Sequence, residues 1–348
     1  MYFTEYLPRL NSISVVSDVP DNTTLEDISG VSLNSSMELS IQLKQSSPIK
    51  IKSPIPINDL KVSGVKLVNN TLSFSIKLSE FTQETLPFTE QTIDQWSCKD
   101  LSRTPEINGR HSFKFICNNC KFLLIESYGF NFKDMPSELW YEMMDFWHCH
   151  KPDNHEEHKK DYKGVLKPDY GTIIVGGYYL LQKYNENIIQ INDTLTCKSC
   201  ECILGEMYQD VMRIYKWTIL LEYEKDNQLI RESYNSGLFI YNLMVDKINS
   251  TATRKFKLEI NDKSTFIWVM NLGLNVCVNG AVHDNALKLL ISDDVQNKDD
   301  YETLDIPDDE ITSKFLQDLT ETNKLLPKSI QSLSMGSNKF IVSYLSYK

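Results

Sequence analysis

A chain of 348 residues with 41% hydrophobic and 11% aromatic residues has the make-up of a folded protein and room for two or three domains. Its net charge of -11, with no run of Lys or Arg, argues against a direct nucleic-acid binder and suits a protein partner with a basic surface. The start, Met1-Tyr2-Phe3-Thr4-Glu5-Tyr6, lacks the regions of a signal peptide, and the apolar runs Phe266 to Met270 and Leu287 to Ile291 are too short to cross a bilayer, so no membrane role and an intracellular compartment with reduced thiols are expected.

Residues 1–110 read as a β-rich region, a small sandwich or an open sheet. Met37, Leu39, Ile41 and Leu43 alternate with polar residues, as do Leu72, Phe74, Ile76 and Leu78, which marks strands with one buried face. Gly64 and the pair Asn69-Asn70 are expected at turns. Pro48, Pro54 and Pro56 place the stretch between them on an edge or in an extended loop. Cys98 follows without a local partner; it is either a metal ligand or, as expected, a partly buried free thiol.

Residues 111–214 carry the chemistry. Phe113 and Phe115 alternate into Cys117-Asn118-Asn119-Cys120, and Phe122 to Ile125 follow, a hairpin with two cysteines at its tip. Cys197-Lys198-Ser199-Cys200 repeats the spacing much later. Two residues between cysteines let both thiolates of a hook turn onto one ion, and two hooks complete a tetrahedral sulfur shell, so Cys117, Cys120, Cys197 and Cys200 are expected to bind a structural zinc. Cys202 can compete as a ligand, but the spacing favours Cys197 and Cys200.

Between the hooks, Asp134-Met135-Pro136-Ser137-Glu138 reads as a helix start. Leu139, Trp140, Met143, Met144 and Trp147 then share one face, either a core face or a partner groove. His148, Cys149 and His150 close that helix; Cys149 and His150 can join the shell, build a second site or only pack. His155 and His158 have two residues between them rather than the three of a zinc-protease helix. Tyr170 to Leu181 reads as a strand broken at Gly176-Gly177, a pair without the spacing of a phosphate loop.

Residues 215–348 read as a C-terminal mixed α/β domain. Strands are expected at Tyr215 to Tyr223, Lys255 to Ile260, Phe266 to Met270, Ala286 to Ile291 and Phe340 to Leu345. Helices are expected from Glu232 to about Ser250 and from Asp309 to about Leu326. The stretch 292–310 holds nine acidic residues against one Lys and reads as a solvated loop. Cys277 lies at a strand end without a cationic neighbour in sequence and reads as a buried structural thiol. The class is therefore α+β and β-rich, with an N-terminal sheet region, a central zinc-bound domain and a mixed C-terminal region.

Cys117, Cys120, Cys197 and Cys200 followed by Leu204-Gly205 resemble the zinc-bound β-tent of Yippee, Mis18 and the cereblon thalidomide-binding region. A longer pattern adds Pro136-Ser137-Glu138-Leu139-Trp140, Trp147-His148-Cys149-His150, Gly176-Gly177 and Phe266-Ile267-Trp268-Val269. It resembles the HECT-like family of ubiquitin-conjugating-enzyme-binding proteins, of ubiquitin ligase type. The resemblance implies a ubiquitin-conjugating enzyme as partner and, as for fungal members, a link to pre-mRNA cleavage and polyadenylation through the 3′-end processing endonuclease, in cytoplasm and nucleus. The alternative is a non-enzymatic factor that assembles or stabilises that endonuclease. A HECT ligase keeps its acceptor cysteine near the C-terminus after a Thr; here no cysteine follows Cys277, which Val276 precedes, so the catalytic residue is unknown.

Overall fold

The computed structural model describes residues 1–79, 95–135 and 167–347. The chain forms two compact units, Met1–Thr92 with Ile240–Lys348, and Ile93–Phe239. The boundaries expected from composition, 1–110, 111–214 and 215–348, cut the chain differently. The first unit joins both ends of the sequence because the strand Tyr2–Leu7 pairs antiparallel with Lys263–Val278, setting Phe3 opposite Val278 and Glu5 opposite Val276. Composition carries no signal of such a pairing.

This unit is built on a ten-stranded sheet. Lys263–Val278 is long enough to pair with Lys255–Ile260 along its first half and with Tyr2–Leu7 near its end. Three register shifts against Ala281–Ser292 bend it between the two. A three-stranded sheet, Ile28–Ser35, Glu38–Leu43 and Ile49–Lys52, covers part of the large one. Leu39, Ile41 and Ile51 share a core with Ile13, Val15, Leu72, Phe74 and Ile76, so the expected alternation becomes a sandwich. Ile49–Lys52 lies at an edge between the prolines. Asn69 and Asn70, both at positive φ, make the two-residue turn of a hairpin. Gly64 does not: it sits inside Lys61–Val68, at a bulge between Ser63 and Lys66, where its φ of 65° suits glycine.

The helix Asp309–Lys324 starts at Asp308, whose carboxylate accepts from the Glu310 N–H at 2.8 Å. Its buried Ile311, Phe315 and Leu319 recur every four residues, one stripe against the sheet. The Ser343 hydroxyl on the strand Asn338–Leu345 donates to the Leu319 carbonyl at 2.8 Å. The acidic stretch 292–310 is more anchored than a solvated loop: Val295 and Leu304 are buried, and Glu302–Thr303 pairs with Lys255–Ile260.

The second unit contains two larger sheets and a two-stranded pair, Glu106–Ile107 with Arg110–His111. The four-stranded one has the order Leu123–Glu126, Lys114–Cys117, Ile219–Lys225 and Gln228–Ser233. The seven-stranded one has the order Asn131–Asp134, Thr172–Val175, Tyr179–Gln182, Val211–Tyr215, Ile203–Tyr208, Thr194–Cys197 and Ile188–Ile191. Under the first sheet Phe113, Phe115, Phe132, Trp96 and Tyr234 make a chain of tilted and edge-on ring contacts. The expected strand 215–223 is two strands parted by a single turn at Lys216–Thr218. The helix expected from Glu232 begins at Ser236, because Gln228–Ser233 completes a hairpin with Ile219–Lys225. The α+β, β-rich class holds throughout. The expected helix 134–150 beyond Met135, with Leu139, Trp140, Met143, Met144 and Trp147, lies outside the described residues, as do His155 and His158.

Gly205 lies opposite Ile214, and a Cβ there would land on the Arg213 carbonyl. Backbone on both sides leaves little room to relax. Gly205→Ala should therefore destabilise by about 3 kcal/mol or more. Gly129→Ala, where a Cβ meets nothing within 4 Å, should change stability by about 0.5 kcal/mol or less. Thermal or denaturant melts of the two variants test the contrast.

Candidate metal centre

Each cysteine hook is the turn of a short hairpin, one in each of the two larger sheets of the second unit. The hooks share one backbone plan. The N–H of Cys117 donates to the carbonyl of Phe122 at 2.8 Å, and that of Cys197 to the carbonyl of Cys202 at 2.9 Å. One residue earlier, the N–H of Lys121 returns to the Cys117 carbonyl at 3.0 Å and that of Glu201 to the Cys197 carbonyl at 2.8 Å. Lys121 and Glu201 both adopt left-handed φ, 64° and 59°, to close these turns. A register shift precedes the first cysteine in both hairpins, at Phe115/Ile116 and Leu195/Thr196. The shared plan follows from the shared Cys-x-x-Cys, since both thiols point to one side only if the chain turns tightly between them.

The folded unit brings the two hooks together. The sulfur atoms of Cys117, Cys120, Cys197 and Cys200 lie within 4.8 Å of one another. A tetrahedral thiolate shell with metal–sulfur bonds of about 2.3 Å has sulfur–sulfur edges of about 3.8 Å. Two of the four edges that join hook to hook fit it: Cys117 to Cys200 is 3.8 Å and Cys120 to Cys197 is 3.7 Å. The donor set can thus hold one soft metal ion in a closed shell. Cys117 and Cys197 are fully buried at strand ends, whereas Cys120 is exposed in its turn.

Backbone contacts hold the hooks in place. The Asn118 N–H donates to the Thr218 carbonyl at 3.0 Å, and the Thr218 hydroxyl donates to the Leu204 carbonyl at 2.9 Å. Thr218 lies in the turn that leads into the first sheet, and Leu204 lies in the second, so a single side chain links the supports of the two hooks. The Lys121 ammonium bonds to the Asn118 carbonyl across the first turn.

Burial pushes the Cys117 and Cys197 thiols up to about 12. Cys200 goes the other way, down to about 6, chiefly through a backbone hydrogen bond from Cys202. Cys202 itself is the residue that the motif spacing did not select. Its sulfur lies 3.3 Å from that of Cys117 and 3.4 Å from that of Cys200, and burial pushes its thiol up to about 11. It is the cysteine expected as a possible competing ligand, and its place as the sixth residue of the hook brings it against the cluster.

The remaining cysteines stand apart. Cys98 starts a short helix, its N–H donating to the Asp134 carboxylate at 2.7 Å. Burial, then the Asp134 carboxylate, push its thiol up to about 12, so it is a half-buried thiol outside the cluster. Cys277 is fully buried opposite Thr4, and burial raises it as well. Cys149 and His150 lie outside the described residues.

Comparison with known proteins adds what geometry cannot. The sequence pattern of the family described as HECT-like ubiquitin-conjugating enzyme (E2)-binding matches residues 5–337. An uncharacterized protein of Saccharomyces cerevisiae is 26% identical over 369 aligned residues, covering 99% of each chain. No solved structure matches.

Metal binding at neutral pH must expel the protons of Cys117 and Cys197, whereas Cys200 has already lost its proton above about 6. Apparent affinity should therefore rise with pH, by at least about 100-fold between pH 7 and 8, and fall more steeply below 6 where Cys200 also takes up a proton. Competition with a chelator across this range measures the slope; an affinity flat with pH would contradict it. Replacing the left-handed Glu201 should stabilise: Glu201→Gly is expected to add about 1 kcal/mol, read in a melt of the metal-loaded protein.

Proposed function

The chain belongs to the HECT-like ubiquitin-conjugating enzyme (E2)-binding family, and on that premise we propose that it binds a ubiquitin-conjugating enzyme and presents to it a client from the pre-mRNA 3′-end processing machinery, the processing endonuclease. The single observation that carries the reading is the extent of the match, residues 5–337, which takes in most of both compact units. In this reading the protein acts in cytoplasm and nucleus.

Cys117, Cys120, Cys197 and Cys200 hold zinc in the proposed working form. Four sulfurs close the shell and leave no position for water, so the ion supplies a cross-link and folding energy. The chain's own residues then do the remaining work. The buried Cys117 and Cys197 fix the strand ends, Asn118 and Thr218 set the two hooks against each other, and the surrounding surface receives the partners.

Ubiquitin transfer through a thioester on this chain needs an accessible thiolate. Among the described residues, Cys277 is fully buried with a raised thiol, Cys98 is held up to about 12, and the exposed Cys120 belongs to the cluster. These features favour a protein that positions a charged conjugating enzyme over one that takes ubiquitin itself. They equally favour a second reading, a non-enzymatic factor that assembles or stabilises the endonuclease.

A single-turnover discharge assay separates the two. A conjugating enzyme precharged with labelled ubiquitin, mixed with the full-length protein, should lose its thioester faster without a reductant-sensitive adduct on this chain. A reductant-sensitive adduct would replace positioning with transthiolation. Unchanged discharge across several conjugating enzymes would leave the stabilising factor, expected then to raise the melting temperature of the endonuclease on mixing.

A further inference from the structure

The two hooks follow one backbone plan yet differ at a position that borders the sulfur cluster. The sixth residue, whose carbonyl receives the N–H of the first cysteine, is Phe122 in one hook and Cys202 in the other. That backbone bond ties Cys202 beside Cys197, and its sulfur touches the sulfurs of Cys117 and Cys200 at 3.3 and 3.4 Å. Both separations are shorter than the tetrahedral edge of about 3.8 Å. Five thiols therefore crowd one four-coordinate position.

We propose, resting on the reading of this cluster as a metal centre, that Cys202 is an alternate ligand that exchanges with Cys120. Cys120 is the member that gives way. It is exposed in its turn, so its release to water carries little desolvation change, whereas Cys117 and Cys197 are fully buried and their backbones are held at strand ends. Cys202 already touches two of the three sulfurs that remain and is hydrogen-bonded through its backbone to the third residue. In the exchange the metal bond to the Cys120 sulfur breaks as one to the Cys202 sulfur forms. The Cys202 proton passes to the released Cys120 thiolate, so charge is conserved and no oxidant or reductant takes part. The ion thus has two complete shells, Cys117, Cys120, Cys197 and Cys200, or Cys117, Cys197, Cys200 and Cys202. The consequence is a centre that keeps its ion when its exposed cysteine is modified.

Cobalt(II) reports the number of thiolates bound to it through its charge-transfer absorption. Full-length wild type, Cys120→Ser, Cys202→Ser and the double variant would each be loaded with cobalt(II), and absorption per bound ion compared. Wild type and both single variants should show the same four-sulfur spectrum, and the double variant a weaker, three-sulfur one. A three-sulfur spectrum in Cys120→Ser alone would overturn the exchange. So that the test survives a variant that does not fold, wild-type zinc-loaded protein would also be alkylated with limiting N-ethylmaleimide, and native mass spectrometry with peptide mapping would follow ion and label together. Molecules labelled at Cys120 should retain their zinc; loss of the ion with that first label would overturn the proposal. A wild-type chain that takes up neither cobalt nor zinc would overturn the metal centre itself, a result distinct from failure of the exchange.

Discussion

Four sulfur atoms close enough to share one ion are the constraint on which the second unit depends. Each hook sits at the tip of a hairpin whose arms at that point are four to six residues long, Lys114–Cys117 with Leu123–Glu126 and Thr194–Cys197 with Ile203–Tyr208. Hairpins of that length hold together poorly in water. Here each is part of a larger sheet, the first at its edge and the second one strand in from it, and the sheets converge where the cysteines lie. An ion shared across the hooks ties positions far apart in sequence, and closing so long a loop is where a cross-link gains most in theory. A bound ion and the hydrogen-bonded supports at Asn118 and Thr218 would then act on the same junction, one through sulfur and one through hydrogen bonds.

The same junction explains which parts of the molecule could be read from residue order. A Cys-x-x-Cys hook is a local object; its spacing carries its geometry, and both hooks stand where the spacing implied. Alternation of Leu39 and Ile41, or of Leu72, Phe74 and Ile76, is equally local, and these residues meet in one core. The stripe Ile311, Phe315 and Leu319 announced its helix for the same reason. What was not legible is non-local. Nothing in Tyr2–Leu7 names Lys263–Val278 as its neighbour, so the two ends of the chain read as separate regions although they share a sheet. Gly64 reads as a turn because glycine is a turn residue, and a bulge calls for the same positive φ; only the strand pairing tells the two apart. The contact of Cys202 with the cluster is not set by spacing either: the backbone bond from Cys197 to its carbonyl folds it back onto the sulfurs.

The inventory of thiols also narrows the chemistry open to a protein of this family. A nucleophilic cysteine needs exposure and a stabilised thiolate. The described cysteines divide into those raised by burial, the half-buried Cys98 and the fully buried Cys277, and those drawn into the sulfur cluster. Cys200 is the one thiol lowered, and its position in the cluster assigns it to binding an ion.

The two proposed readings share a four-sulfur cluster, buried thiols and a family match extending from residue 5 to residue 337. If the reactive thioester belongs to the conjugating enzyme, this chain contributes by holding that enzyme and a client at once, and the rigidity of the two surfaces sets how well the thioester meets an acceptor lysine. A metal ion at the junction would supply such rigidity, by fixing two sheets that otherwise meet through short hairpin tips. Such an ion would not need to approach the reaction for its loss to matter, since releasing it would free both hooks and with them the surface that the sheets support.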